Sequence, residues 1–330
     1  MKYRVIGSDP GTRRRVSVLS LGTMLFGTAV DEATSYAVLD RFVEAGGNFL
    51  DTANNYAYWV NGTQGGESEA LLGRWRRSRG VTDEVVVATK LGGRPNAPAT
   101  SLSHDLEGLS ARVIRESSER SRERLGMDRL DLLYAHAYLE SWRVPLEETV
   151  EAFAALVAEG AVGLLGASNH WSWRLERARG LAASAGLPGY EVLQYQHSYL
   201  RPRLDVPTPR SVDGNLGAVG GDLLSYLRAE PALTLVAYSP LLGGAYVRDD
   251  KPLGDAYDHP GTPRRMAALR EVARETGASV NQVVLAWLMG GDVPVIPLVG
   301  ASSVEQLEES LGAVDLELTA GQRAVLDAAR

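Results

Sequence analysis

The sequence contains no cysteine, which removes disulfides, thiolate nucleophiles and cysteine-based metal sites from consideration. It has no apolar run approaching the ~20 residues of a membrane-spanning helix. The opening residues, MKYRVIGSDPGTRRRVSVLSLGT, hold no apolar stretch long enough for a secretory leader, so a soluble cytoplasmic protein is the expectation. No G-x-G-x-x-G pattern occurs, which argues against a doubly wound dinucleotide-binding sheet. Positive charge is in deficit: 34 Lys and Arg stand against 41 Asp and Glu, a net charge of −7. A surface of that sign disfavours nucleic acid or an anionic membrane as partner. His104, His170, His197 and His259 lack companions at metal-ligand spacing, so no metal is expected and the four read as surface or pocket-rim residues.

What is present is 330 residues, 45% of them hydrophobic, enough to bury a large core. A β-hairpin is expected over KYRVIG and RVSVLSL, turning at Asp9-Pro10-Gly11. After it, short apolar runs alternate with amphipathic stretches. Strands are expected near 19–23, 48–51, 84–89, 131–135, 162–166, 191–194, 233–237 and 294–296. Helices are expected near 31–46, 66–79, 108–125, 146–159, 172–185, 219–229, 263–289 with a break at Gly277, 303–312 and 319–329. The pattern predicts an α/β protein, one (β/α)8 TIM barrel over residues 1–330 with an N-terminal β-hairpin. Two connections, 197–222 and 241–263, are long and rich in Gly, Pro and Asp. Both follow strands, which places them as long loops on the C-terminal face, the functional side of a barrel.

Four polar residues stand just past apolar runs: Asp51 and Tyr56 in NFLDTANNY, Lys90 in VVVATK and His136 in DLLYAH. A parallel barrel gathers its strand ends into one pocket, so four scattered groups become one site. Singly, each has an ordinary explanation as a turn residue, a rim aromatic, a snorkelling strand-end lysine or a core imidazole. Their arrival in order at successive strand ends is harder to attribute to packing. A phenol with a pKa near ~10 is a weak acid at neutral pH, and an adjacent ammonium stabilises its phenolate and eases proton donation. Tyr56 and Lys90 form that pair, with Asp51 holding Lys90 charged and His136 gripping the substrate oxygen. Such a set suits hydride delivery to a carbonyl, the proton coming from Tyr56 and the hydride from a cofactor. A glycosidase would want two carboxylates at strand ends, and only Asp51 is an obvious candidate.

At this point the chain resembles the aldo-keto reductases, along nearly its whole length. LSLGTMLFGT, GGNFLDTANNYA, VVVATKLGG, RLGMDRLDLLYAH, GLLGASNHW, VLQYQHSY, LVAYSPLLGG and VIPLVGASSVEQLEESLGA look like family segments in the family's order. The resemblance implies a catalytic tetrad at Asp51, Tyr56, Lys90 and His136. It also implies NADPH-dependent reduction of an aldehyde or ketone, or the reverse oxidation, with NADH as the alternative cofactor. Non-enzymatic relatives of the potassium-channel β-subunit type are similar too, so a nicotinamide-binding sensor or regulatory subunit is the competing reading. Some of those relatives lack the histidine, and this chain keeps it.

Carried over by motif, Ser168, Asn169 and Gln194 bind the nicotinamide carboxamide, and Tyr238 stacks on the ring. Ser239, Pro240, Leu241 and Gly243 line the pyrophosphate, and Gly22, Thr23 and Met24 contribute from the first barrel strand. Ser302 and Gln306 match the 2′-phosphate segment and Glu309 an adenine contact, with Ser310 where an Asn is common. One departure stands out: no Lys or Arg lies between Arg274 and Arg323, where many relatives place a cation for the 2′-phosphate. Arg248 and Lys251 of the 241–263 loop are the substitutes expected to close over it. Trp59, Trp142 and Trp171 follow strands on the pocket side and are candidates to wall an apolar substrate site, or equally to pack beneath a loop. His170 is the histidine expected nearest the substrate. A small carbonyl compound is the expected partner, and nothing in the sequence sets an oligomeric state.

Overall fold

The computed structural model describes residues 1–60, 62–99, 105–136, 144–207 and 216–330. An antiparallel hairpin of β1 (Tyr3–Ile6) and β2 (Arg14–Ser17) comes first. Its connection turns over Asp9-Pro10-Gly11 as expected, with the Asp9 carbonyl accepting from the N–H groups of Thr12 and Arg13. Eight parallel strands then close a barrel in chain order: β3 (Ser20–Gly22), β4 (Phe49–Asp51), β5 (Val86–Leu91), β6 (Leu130–Ala135), β7 (Val162–Ser168), β8 (Val192–Gln196), β9 (Thr234–Tyr238) and β10 (Val295–Gly300), which pairs with β3. This is the (β/α)8 TIM barrel that the alternation predicts.

Among the described residues the helices are α1 (Glu32–Glu44), α2 (Glu67–Arg79), α3 (Ala111–Leu125), α4 (Leu146–Ala158), α5 (Ser172–Ser184), α6 (Gly221–Ala229), α7 (Gly261–Thr276), α8 (Val280–Met289), α9 (Val304–Leu311) and α10 (Ala320–Ala328). Their ends are written in local chemistry. Asp31, Ser110 and Ser303 accept backbone N–H bonds as N-caps, and Ser279 with Gln282 and Thr319 with Gln322 form reciprocal capping boxes. The stretch 263–289 resolves into two helices because Gly277 ends α7 in the left-handed region, φ 71°, and Ser279 starts α8 two residues later. None of the described helices is long and apolar enough to cross a membrane.

The barrel interior follows a period of two. Phe49, Val86, Ala88, Leu132, Tyr134, Leu164, Val192, Val236, Ile296 and Leu298 form one buried cluster. Ile6 and Val16 of the hairpin join that cluster, so the hairpin plugs the barrel's N-terminal mouth. Gly166 belongs to the same inward layer, and a Cβ there would collide with the Tyr134 ring. Continuing the alternation upward by two from each strand's inward residues reaches Asp51, Lys90, His136, Ser168, Gln194 and Tyr238. The pleat itself therefore lifts the candidate residues into the C-terminal mouth.

β10 runs to Gly300, beyond the expected stop at 296, with Pro297 inside the ladder opposite Ala237. Proline there lacks one N–H, yet burial of β10 between β9 and β3 carries the strand through it. The two long loops are partly built structure. The 241–263 loop contains 3-10 turns at Leu242–Gly244 and Asp255–Tyr257, and the end of the 197–222 loop returns to pair Ala218 with Gln196.

Candidate active site

Asp51 ends β4, Lys90 lies in β5, His136 directly follows β6, and Tyr56 sits in the turn after β4, so all four reach the same mouth. Asp51 and Lys90 are completely buried. The Lys90 ammonium donates to the Asp51 carboxylate, to the Thr52 carbonyl at 2.7 Å and to the Tyr56 hydroxyl at 2.6 Å. That uses all three of its hydrogens. The Tyr56 oxygen is thus an acceptor, and among the described residues its own hydrogen reaches Asp51 Oδ1, at 3.2 Å, long for an O–H···O bond. The His136 ring lies edge-on to that of Tyr56, centroids 6.1 Å apart, and its backbone N–H is fixed to the Leu91 carbonyl.

Burial, reinforced by the Asp51 charge, holds the Tyr56 hydroxyl well above its ordinary pKa. The Lys90 ammonium lies on the same oxygen at 2.6 Å, placed to meet negative charge that develops there. Burial also pushes Lys90 down, opposed by the negative charges of Asp51 and Glu69.

Glu69 and its neighbours are supports that sequence reasoning missed. Glu69, fully buried in the first turn of α2, accepts from the Thr89 hydroxyl at 2.6 Å and from Arg124 at 3.0 Å. The adjacent Ser68 hydroxyl meets those of Thr23 and Thr52, both at 2.8 Å, and donates to the Thr23 carbonyl. One helical turn thus braces the ends of β3, β4 and β5 around Lys90. An acidic first turn reads in sequence as a surface dipole partner, which hides this role.

The residues carried over for the nicotinamide converge as well. Gln194 donates its amide N–H to Asp51 Oδ2 at 2.8 Å, which turns its carbonyl oxygen away from the carboxylate. Asn169, at φ 58°, donates to the His136 carbonyl and to Ser168 Oγ, each at 3.0 Å, and its carbonyl oxygen accepts from the Tyr238 hydroxyl at 2.8 Å. Two amide oxygens and one hydroxyl are the complement of a carboxamide, so the donor set fits that group. Ser239 and Leu242 both hold φ near 51°, a strained conformation for non-glycine residues of the kind that collects at ligand sites. Pro240 and Leu241 lie between them, and the space over Gly243 is open within 4 Å of a built Cβ.

Other candidates are placed as follows. Gly22 ends β3 against Leu298, Thr23 is buried with its hydroxyl on Ser68 and the Asp51 carbonyl, and Met24 is exposed. Ser302 and Gln306 meet at the N-terminal end of α9, where the Gln306 side chain accepts from the Ser302 N–H and hydroxyl at 2.9 and 3.1 Å. The Glu309 carboxylate is held by Ser279 Oγ at 2.6 Å and by Asn281. Arg248 pairs with Asp250 of its own loop at 2.6 Å, and Lys251 is exposed. Trp59 packs edge-on against Tyr58, centroids 4.9 Å apart, and Trp171 precedes α5. Trp142 and His104 lie outside the described residues.

His170 and His197, expected at the surface or pocket rim, are instead buried, at 4% and 6% exposure. His170 rests on the Ser168 carbonyl at 2.9 Å, and His197 lies 6.0 Å from the Trp287 ring. Burial pushes their pKa values down to about 4 and about 3. A polar cavity of about 280 Å³ between Tyr58, Arg94 and the N-terminal half of α3 lies outside the tetrad and includes none of its members.

Known proteins are similar to the chain along nearly its whole length. The model of the aldo/keto reductase family matches residues 18–330. An uncharacterized oxidoreductase, YrpG, of Bacillus subtilis is 31% identical over 96% of this chain and 92% of its own. The norsolorinic acid reductase stcV of Emericella nidulans is 32% identical, over 96% of this chain and 78% of its own. An aryl-alcohol dehydrogenase of Pestalotiopsis microspora is 28% identical, over 94% and 78% respectively.

Proposed function

The chain belongs to the aldo/keto reductase family and is an NAD(P)H-dependent oxidoreductase, and from that premise we propose that it uses NADPH to reduce an aromatic aldehyde or ketone, with Tyr56 as proton donor. Carbonyl reduction is the general chemistry that the family supports. The observation that carries the finer reading is the Lys90 ammonium, whose three hydrogens are all engaged and one of which lies on Tyr56 at 2.6 Å. This leaves the phenol protonated, oriented and free to give its hydrogen to an oxygen arriving in the mouth. His136, edge-on to Tyr56, shares the substrate oxygen by hydrogen bond.

Ser168, Asn169 and Gln194 hold the carboxamide, Tyr238 stacks on the ring, and the turn from Ser239 to Gly243 takes the pyrophosphate. Bound there, the reduced nicotinamide supplies the hydride. Ser302 and Gln306 at the α9 N-terminus, with Arg248 and Lys251 closing from the loop, favour the 2′-phosphate form. The aromatic preference rests on Trp59, edge-on to Tyr58 three residues from the acid, and on a relative named as an aryl-alcohol dehydrogenase. The whole chain, 1–330, acts as one catalytic unit.

Fluorescence titration with NADPH and NADH, followed by a panel of aryl and alkyl carbonyls read by loss of reduced-nicotinamide absorbance, tests the proposal. Tighter binding of NADPH and turnover of aryl carbonyls are the expected results. Binding of neither nicotinamide would overturn it, and equal affinity for both would remove the 2′-phosphate assignment alone.

A further inference from the structure

The 197–222 loop ends in a feature that the catalytic assignment does not use. The Gln196 N–H donates to the Gly217 carbonyl at 2.7 Å, and the Val219 N–H donates to the Gln196 carbonyl at 2.9 Å, so residues 217–219 add a short parallel strap to the top of β8. That strap begins on the candidate nicotinamide trio. A Cβ built on Gly217 would collide with Asn169 Oδ1 and lie 3.2 Å from the Tyr238 hydroxyl. Gly217 also holds φ +88°, a conformation that only glycine takes without strain. Two independent requirements for glycine, one local and one tertiary, meet at one position.

We propose that the strap Gly217–Val219 is a wall of the nicotinamide-binding site and that Gly217 is a positioning residue for Asn169 and Tyr238. The argument is steric and polar together. Asn169 presents its carbonyl oxygen to a carboxamide only if its amide nitrogen stays on the His136 carbonyl and Ser168 Oγ, and the Tyr238 hydroxyl locks that orientation. Gly217 lies on the remaining side, where a Cβ would collide with Asn169 Oδ1, so a residue without a side chain leaves the Asn169 oxygen in place. A larger residue forces either Asn169 out of its orientation or the strap off β8. The inference rests on the reading that Asn169 contacts the carboxamide.

A double-mutant cycle on the full-length protein separates the two. NADPH dissociation constants are measured by fluorescence for the wild type, Gly217→Ala, Asn169→Ala and the double variant, with thermal melts of each without cofactor. The backbone strain of alanine at 217 is present in both backgrounds and cancels, leaving the contact with Asn169. The expected result is a loss of about tenfold for Gly217→Ala in the wild type and little further loss in the Asn169→Ala background, within the range of coupling between touching residues. Equal losses in both backgrounds, or none in either, would overturn the role of Gly217. No effect of Asn169→Ala on NADPH affinity would overturn the carboxamide reading instead. Should Gly217→Ala fail to fold, Val219→Pro removes the N–H that Gln196 accepts and frees the strap without a new contact. Weaker NADPH binding by that variant supports the wall, and wild-type affinity refutes it.

Discussion

Replacing Lys90 by Met separates what the ammonium does for stability from what it does for chemistry. Lys90 and Asp51 are completely buried, and the substitution strips Asp51, the Thr52 carbonyl and the Tyr56 hydroxyl of a donor at once. Breaking a buried pair by removing one partner costs about 3–5 kcal/mol, because the remaining charge is uncompensated. Part of the carboxylate stays satisfied by Gln194 at 2.8 Å, which points to the lower half of that range. With an unfolding entropy near ~2.1 cal/mol/K per residue, a chain of 330 residues loses about 4–6 °C in Tm for such a change. Turnover should fall by at least ~100-fold, since the phenol loses the charge that supports its conjugate base. Adding Asp51→Asn to Lys90→Met removes the orphaned charge, so the double variant should melt above the single one yet stay inactive. Calorimetry and steady-state kinetics on the three proteins decide the matter. A Lys90→Met protein as stable as wild type, or a double variant that regains turnover, would refute the reasoning.

Tyr56→Phe should lower turnover by at least ~100-fold while leaving NADPH affinity within a few-fold, and near-normal turnover would remove Tyr56 from the role of acid. Glu69→Gln withdraws a negative neighbour that helps to keep Lys90 protonated, so the alkaline limb of the kcat/KM profile should move to lower pH, and an unmoved limb would confine Glu69 to packing. Buried His170 and His197, at about 4 and about 3 against 6.5 when unfolded, leave the unfolded chain binding more protons below pH 6.5, so stability falls as pH drops through that window. At pH 5 each contributes about 2 kcal/mol of this loss, and His197→Asn should remove about half of the pair's effect in denaturant titrations at two pH values. Replacing Arg248 and Lys251 together by Ala should weaken NADPH about tenfold to a hundredfold more than NADH, and equal loss for both would assign the loop to the pyrophosphate.

Much of the fold was legible because the barrel writes itself twice, in apolar runs and in helix punctuation such as Gly277 followed by Ser279. The convergence of the proposed tetrad was legible because Asp51, Lys90 and His136 each stand at the polar end of an apolar run. The period of two would have added Ser168, Gln194 and Tyr238 without any resemblance, since each lies two residues above an inward hydrophobic or glycine position. What stayed hidden depends on three-dimensional contact. Glu69 looks like an ordinary first-turn acid until α2 is laid against β5, and His170 and His197 look like surface histidines until Tyr190 and Trp287 cover them. Gly217 stands in a Gly-rich loop where one glycine resembles the next, and its constraint comes from Asn169, 48 positions earlier, held at a positive φ that no sequence pattern announces.

The raised pKa of Tyr56 bears on how such a site acts as an acid. A phenol that ionised near neutrality would arrive at the reaction already empty, and a buried phenolate beside Asp51 would add a second negative charge around a single ammonium. On the role proposed for Tyr56, keeping it protonated keeps the acid loaded across the ordinary pH range. The difficulty is then its weakness, and Lys90 answers that in the transition state rather than at rest: the ammonium already lies on the phenol oxygen at 2.6 Å, so negative charge appearing there needs no reorganisation to be stabilised. Asp51 works in the opposite direction on Tyr56 but keeps Lys90 charged in a buried position that would otherwise neutralise it. The Asp51–Lys90 pair is best understood as a fixed dipole aimed at the phenol oxygen, and Glu69, Ser68 and Thr52 as the scaffold that keeps it aimed.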